Sequence, residues 1–249
     1  MVLKVVLFDF NGVIVDDEPI HAQLLQGVIA SENMRCSPED AQRFVGRSDR
    51  ACLQDFFRLQ GRVISPELLQ KLLAQKTALY QQTIQSLEVL PLFPGVRELI
   101  QTFRSFDLKL GIVSDAQRAE VALILEKAQL QDAFEVIVAA EDTETSKPSP
   151  EGYQRAIQQF SNQHPDLKLQ PSDCLALEDS FPGIEAACSA QIPVVGVAHT
   201  YPFHMLQRRA NWTVDALKDL EVPRLINLYA GEAERDWEVL NLAANPLGD

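Results

Sequence analysis

The chain has 249 residues, 46% of them hydrophobic and 23% charged, which is the composition of an ordered globular protein rather than a disordered one. Its 35 acidic and 22 basic residues leave a formal net charge of -13, a field that favours solubility and repels nucleic acid and anionic membrane surfaces. Cys36, Cys52, Cys174 and Cys188 form no C-x-x-C pair and lie apart from any histidine cluster, which argues against a zinc or redox motif and suits reduced thiols in the cytoplasm.

The apolar run Val5, Val6, Leu7, Phe8 has no polar face and predicts a strand buried on both sides of a parallel sheet. Asp9 ends it after a strand's length, too short for a signal segment or a membrane span. Helices are predicted next over 19–31, 38–44, 49–59 and 66–84, each with Pro or Asp near its start. In the last of these Leu68, Leu69, Leu72, Leu73, Leu79 and Ile84 recur at close to helical period, so it buries one face in a small bundle.

Further strands at 108–113, 135–139, 173–177 and 193–197 alternate with helices at 96–106, 116–128, 151–160 and 184–190. That alternation predicts an α/β fold, a Rossmann-like doubly wound parallel sheet with right-handed crossovers. The long gap between the first strand and the second predicts an inserted α-helical cap domain. The expected division is a discontinuous core at 1–16 and 87–225, a cap at 17–86 with hinges near 15–18 and 87–93, and a tail at 226–249. Beyond Val197 the pattern weakens to an aromatic surface loop at 199–204 and a short strand near Trp212.

Ligands of open parallel sheets bind at the carboxyl ends of the strands. Here those ends carry Asp9, Ser114, Lys147 and the pair Glu178-Asp179. Aspartate can attack phosphorus, and Mg²⁺ needs hard oxygen ligands of the kind Asp9 and Asp179 supply. Lys147 brings a compact positive charge and Ser114 a hydroxyl donor for the oxygens of a transferring phosphoryl group.

Four stretches, D-F-N-G-V-I-V-D-D-E-P-I-H, V-S-D-A, S-K-P-S-P and L-E-D-S-F-P-G-I, resemble the four motifs of the haloacid dehalogenase superfamily, in order and each at a predicted strand end. The likeness covers nearly the whole chain and is nearest to the β-phosphoglucomutase and phosphoglycolate phosphatase branch. It implies a Mg²⁺-dependent phosphatase acting on a small phosphorylated metabolite, with Asp9 as nucleophile and metal ligand. Asn11 would lend its backbone carbonyl to the metal, Asp179 would complete the metal site with Glu178 behind it, and Ser114 and Lys147 would hold the phosphoryl group, with Asp115, where the family usually carries a neutral small or amide residue, a further candidate for substrate contact. In the cap, His21, Arg47 and Lys76 match substrate-facing positions, with Arg50 an alternative to Arg47. A monomer in the cytoplasm is the expectation.

Asn11 departs from the pattern. Phosphatases and mutases of the family carry an aspartic acid there, which protonates the leaving oxygen and then assists water. An amide cannot exchange that proton, and a positioned acid or base contributes about 10²- to 10⁴-fold. Three readings stand side by side: a phosphatase in which His21, Glu18 or Asp115 stands in; a protein that binds a phosphorylated ligand without rapid turnover; and a replacement introduced to trap a complex. Mutase chemistry also stays open. A dehalogenase would need no acid for halide departure, but neither would it need the metal-binding pair Glu178-Asp179.

Overall fold

A strand with no polar face is stable only between two covering layers, and Val5–Phe8 (β1) lies fully buried inside a six-stranded parallel sheet. The computed structural model describes residues 2–37, 39, 40 and 43–231. The remaining strands are Lys109–Val113 (β2), Val136–Val138 (β3), Cys174–Glu178 (β4), Val194–Val197 (β5) and Trp212–Val214 (β6). Their order is β3-β2-β1-β4-β5-β6, so the winding reverses at β1 and its neighbour β4.

Strand periodicity divides the core. Val6 and Phe8 join Ile112, Ile124, Phe103 and Phe134 on one side of the sheet, while Val5 and Leu7 join Ala176, Ile184, Tyr153 and Phe160 on the other. Register then sets the site. Phe8 stands opposite Ile112 on β2 and Leu177 on β4, so Asp9, Ser114, Glu178 and Asp179 emerge together at one edge of the sheet.

Between β1 and β2 the chain forms Glu18–Ser31 (α1), Asp49–Leu59 (α2) and Pro66–Ser86 (α3). Ser48 and Ser65 cap α2 and α3 by accepting the backbone N–H of Ala51 and Leu68. These helices share a core of their own, with Leu25, Ile29, Leu53, Phe56, Phe57 and Leu72 buried in it. The chain leaves and re-enters the sheet layer through two adjacent segments, where Asp16 N–H donates to Pro91 O at 2.7 Å and Phe93 N–H to Ile14 O at 3.1 Å.

The sheet is flanked by Val96–Ser105 (α4), Arg118–Lys127 (α5), Glu151–Gln163 (α6), Phe181–Ser189 (α7), Phe203–Leu206 (α8) and Val222–Ala230 (α9). Among the boundaries that differ from expectation, three have a visible cause. The helix expected from 116 starts at Arg118, because Ala116 N–H is taken by the Ser114 hydroxyl. The helix expected from 184 starts a turn earlier, because Ser180 caps it through Gly183 N–H and Pro182 fits the first turn. A tail boundary at 226 falls inside α9, whose Val222, Leu225 and Tyr229 are buried against the sheet's first core layer. Of the helix expected over 38–44, residues 38, 41 and 42 lie outside the described residues, as does the tail beyond 231. Among the described residues, no helix is long and apolar enough to cross a membrane.

Candidate active site

Asp9, Glu178 and Asp179 are buried at the sheet edge, each with a carboxylate oxygen within 4.8 Å of the others'. Lys147 Nζ lies between them, 2.8 Å from Asp9 Oδ1 and 2.7 Å from Glu178 Oε1. The Glu178 carboxylate also accepts the Tyr153 hydroxyl at 2.6 Å, so its orientation is fixed from beneath. The approach of α7 to Glu178 depends on Gly183, where a Cβ would lie 1.9 Å from Glu178 Oε2. Gly12 (φ +80°) turns the chain tightly over Asp179, and a Cβ there would lie 2.0 Å from Asp179 Oδ2.

One ammonium cannot offset this many carboxylates. Burial, with Asp9 adding repulsion, pushes the Asp179 carboxyl up to about 8. Burial also raises Asp115 to about 6, against the attraction of Lys147, whose backbone N–H it accepts at 3.1 Å. Glu178 is driven well above the carboxylate range by burial and by Asp9. Crowded, buried, all-oxygen groups of this kind are the donor set of a hard divalent cation, which would relieve their repulsion.

A cavity of about 60 Å³ opens over this cluster. Asp9, Asn11, Asp115, Lys147, Asp179 and Ser180 line it from the sheet side, and Glu18, His21, Arg47, Ser48 and Asp49 from the helical insertion. The two sides touch around it. Ser48 Oγ donates to Ser146 Oγ at 3.0 Å, and Tyr201 reaches Val45 O at 3.4 Å.

The residue in the unusual position is engaged elsewhere. Asn11 Nδ2 donates to both Asp17 oxygens, at 2.9 and 3.1 Å, and lies 3.1 Å from His21 Nε2. Asp17, fully buried, also accepts from His21 Nε2 and the Tyr80 hydroxyl. Burial opposes a charge on His21, but the attraction of Asp17 prevails and raises it to about 10. Its other nitrogen, Nδ1, is 2.5 Å from Lys76 Nζ. Neither ring nitrogen is left to face a substrate.

Lys76 does not line the cavity. It is fully buried, 2.7 Å from Asp49 Oδ2 and 3.2 Å from both oxygens of Glu120 on α5. Arg47 does line it but is held by Asp55 at 2.5 Å. Ser114 is buried behind Asp115 with its hydroxyl accepting from Ala116, and Arg50 stays outside the lining. Contributors that the sequence did not single out include Asp17, Asp49, Tyr153, Glu120 and His199. The last is expected in a surface loop but stacks on Phe93 at 3.8 Å and donates through Nδ1 to Gly12 O.

A parallel sheet wound in this order, with a carboxylate cluster and one lysine at its edge, is an architecture of phosphoryl-transfer enzymes. Residues 6–197 match the model of the haloacid dehalogenase-like hydrolases, and the chain belongs to that family, in its β-phosphoglucomutase and phosphoglycolate phosphatase-like branch. It is 31% identical over 225 residues to protein CbbY of Rhodobacter capsulatus, covering 87% of this chain and 95% of that one. It is 27% identical over 199 residues to the phosphorylated carbohydrates phosphatase of Thermotoga maritima, covering 80% and 87%. In fold it resembles the crystal structure of β-phosphoglucomutase from Clostridium difficile, with a TM-score of 0.79 at 22% identity, over 94% of this chain and all of that one.

Proposed function

We propose that the chain is a Mg²⁺-dependent phosphoric monoester hydrolase acting on a small phosphorylated metabolite. The observation that carries this reading is the buried trio Asp9, Glu178 and Asp179 converging on one point with Lys147 bonded to two of them. Asp9, Asp179, Glu178 and the Asn11 backbone would hold the cation, which when bound would offset the carboxylate charge and polarise the phosphate. An oxygen of Asp9 attacks phosphorus, the bond to the leaving oxygen breaks, and water then cleaves the aspartyl-phosphate to free phosphate and Asp9. Lys147 steadies the phosphoryl oxygens throughout.

The helical insertion serves as a cap over residues 17–86 and the sheet layer as the core. A cavity of about 60 Å³ is far below the roughly 300 Å³ of ordinary ligand pockets, so substrate entry requires the insertion to swing open. The protein works as a monomer in the cytoplasm, in keeping with its free cysteines.

Asn11 favours a second reading. Its amide is committed to Asp17, and the proton for the leaving oxygen has to come from Glu18 or Asp115, the cavity carboxyls that burial raises. If neither delivers it, the chain is a phosphate-binding member of the family with little turnover. Phosphate release from sugar phosphates, phosphoglycolate and a chromogenic ester, with and without Mg²⁺, tests the choice. Mg²⁺-dependent release that Asp9→Ala abolishes is the expected result, and release that survives Asp9→Ala overturns the mechanism.

A further inference from the structure

The stretch His199-Thr200-Tyr201, expected on the surface, lies against the site instead. His199 follows β5 and donates through Nδ1 to Gly12 O at 2.8 Å. A carbonyl can only accept, so Nδ1 carries the hydrogen, and the bond holds whether or not the ring is charged. The ring lies flat on Phe93, with centroids 3.8 Å apart and planes 10° from parallel. Thr200 turns its hydroxyl toward Asp179, and Tyr201 packs on Phe181 with centroids 4.2 Å apart. The loop is pinned at both ends, so His199 has a fixed place.

What His199 holds is the most pliant backbone in the site. Gly12, at φ +80°, has no side chain to limit it, and it stands between the Asn11 carbonyl and the hinge at 15–18. Gly12 N–H donates to Val15 O at 2.9 Å, which sets the peptide plane that carries the Asn11 carbonyl. His199 sets the next plane through Gly12 O. The fit is close on the other side too, since a Cβ at Gly12 would lie 2.0 Å from Asp179 Oδ2. Any shift of this turn therefore moves the Asn11 carbonyl and the space left to Asp179 together. Phe93 N–H donates to Ile14 O at 3.1 Å, so the contacts close into a circuit from His199 to Gly12, along the turn to Ile14, across to Phe93 and back. Within that circuit His199 alone comes from the sheet layer beyond the two hinge segments. Those segments must flex when the insertion swings, and a turn tied only to them would move as well.

Resting on the hydrolase reading of the site, we infer that His199 is a positioning residue for the cation: its Nδ1–H ties Gly12 to the end of β5, so that the Asn11 carbonyl stays set while the insertion moves. His199→Phe keeps a flat ring against Phe93 and removes the donor, whereas His199→Asn puts an amide where Nδ1 stands and removes the stack. Mg²⁺ is titrated calorimetrically into the substrate-free proteins. Partners behind a metal ligand contribute about 10- to 100-fold in affinity, and His199 acts through an intervening peptide, so Kd should rise about tenfold in His199→Phe and stay within about threefold of wild type in His199→Asn. With a chromogenic phosphate ester, saturating Mg²⁺ should restore kcat in His199→Phe to within about threefold, as positioning of the cation requires. Equal losses in the two variants would assign the effect to packing and overturn the inference. So would a His199→Phe titration that matches the wild type, or a kcat loss that saturating Mg²⁺ leaves in place. His199→Leu removes the same donor should His199→Phe not melt cooperatively. If the wild type binds no Mg²⁺, the hydrolase reading fails and the tether is judged by amide hydrogen exchange in the metal-free protein. Residues 10–16 should then exchange at least about threefold faster in His199→Phe than in the wild type or His199→Asn, and unchanged exchange overturns the tether.

Discussion

Restoring a carboxyl at position 11 separates what the site has kept from what it lacks. In Asn11→Asp the new carboxyl would stand where the amide now lies 2.9 and 3.1 Å from the Asp17 oxygens. Two carboxylates about 3 Å apart repel by about 5 kcal/mol at an effective dielectric of about 20. That repulsion exceeds the cost of retaining one proton near neutral pH, so the introduced carboxyl would start each cycle protonated, as a general acid must. The gain expected is about 10²- to 10⁴-fold in kcat/KM, or about 2.7 to 5.4 kcal/mol of barrier. The assay is Mg²⁺-dependent hydrolysis of a chromogenic phosphate ester at pH 7, beside a thermal melt to establish folding. A folded variant within threefold of the wild-type rate would show that the proton never travels by this position.

The remaining predictions concern the buried charges. In the metal-free protein Asp115 and Asp179 are raised to about 6 and about 8, so they add stability below about pH 4 and lose it as pH rises through those values. Asp115 alone contributes at most about 3 kcal/mol, and the metal-free Tm at pH 8 should fall about 5 °C or more below that at pH 5. Saturating Mg²⁺ should narrow the gap, and a metal-free Tm that rises over this interval contradicts the crowding argument. Gly183→Ala drives a methyl into a carboxylate pinned by Lys147 and Tyr153, and should cost about 1–3 kcal/mol and weaken Mg²⁺ binding. An unaltered melt with unaltered Mg²⁺ titration would mean Glu178 is free to move.

Strand-end chemistry was legible because register is rigid. Once Val5–Phe8 is a central parallel strand, Asp9, Ser114 and Asp179 have to surface near one another. The start of α2 at Asp49 was legible from the acidic residue that opens it, and Ser48 caps it there. What could not be read was the use made of charges distant in sequence. Lys76 has the look of a helix-surface lysine, and only the packing of α3 against α5 brings Glu120 to it across 44 positions. Tyr153 offers no signal beyond a helix's apolar face, yet it orients Glu178. Asp17 appears as one acid among three at positions 16–18, with nothing local to single it out as the partner of Asn11, His21 and Tyr80.

The central place of β1 also governs how the molecule assembles. Val5 pairs with Lys109 on one side and Cys174 on the other, so the strand that leads into Asp9 cannot take its place until most of the chain is available. Closing loops of that length is entropically costly, and folds rich in such distant pairings form slowly. The inserted helices, with a core of their own contributed by residues 25–73, face no such delay. A nascent chain would therefore carry an early-formed helical unit beside an N-terminal strand still waiting for both of its neighbours, and its exposed apolar edge is the part that needs shielding during synthesis.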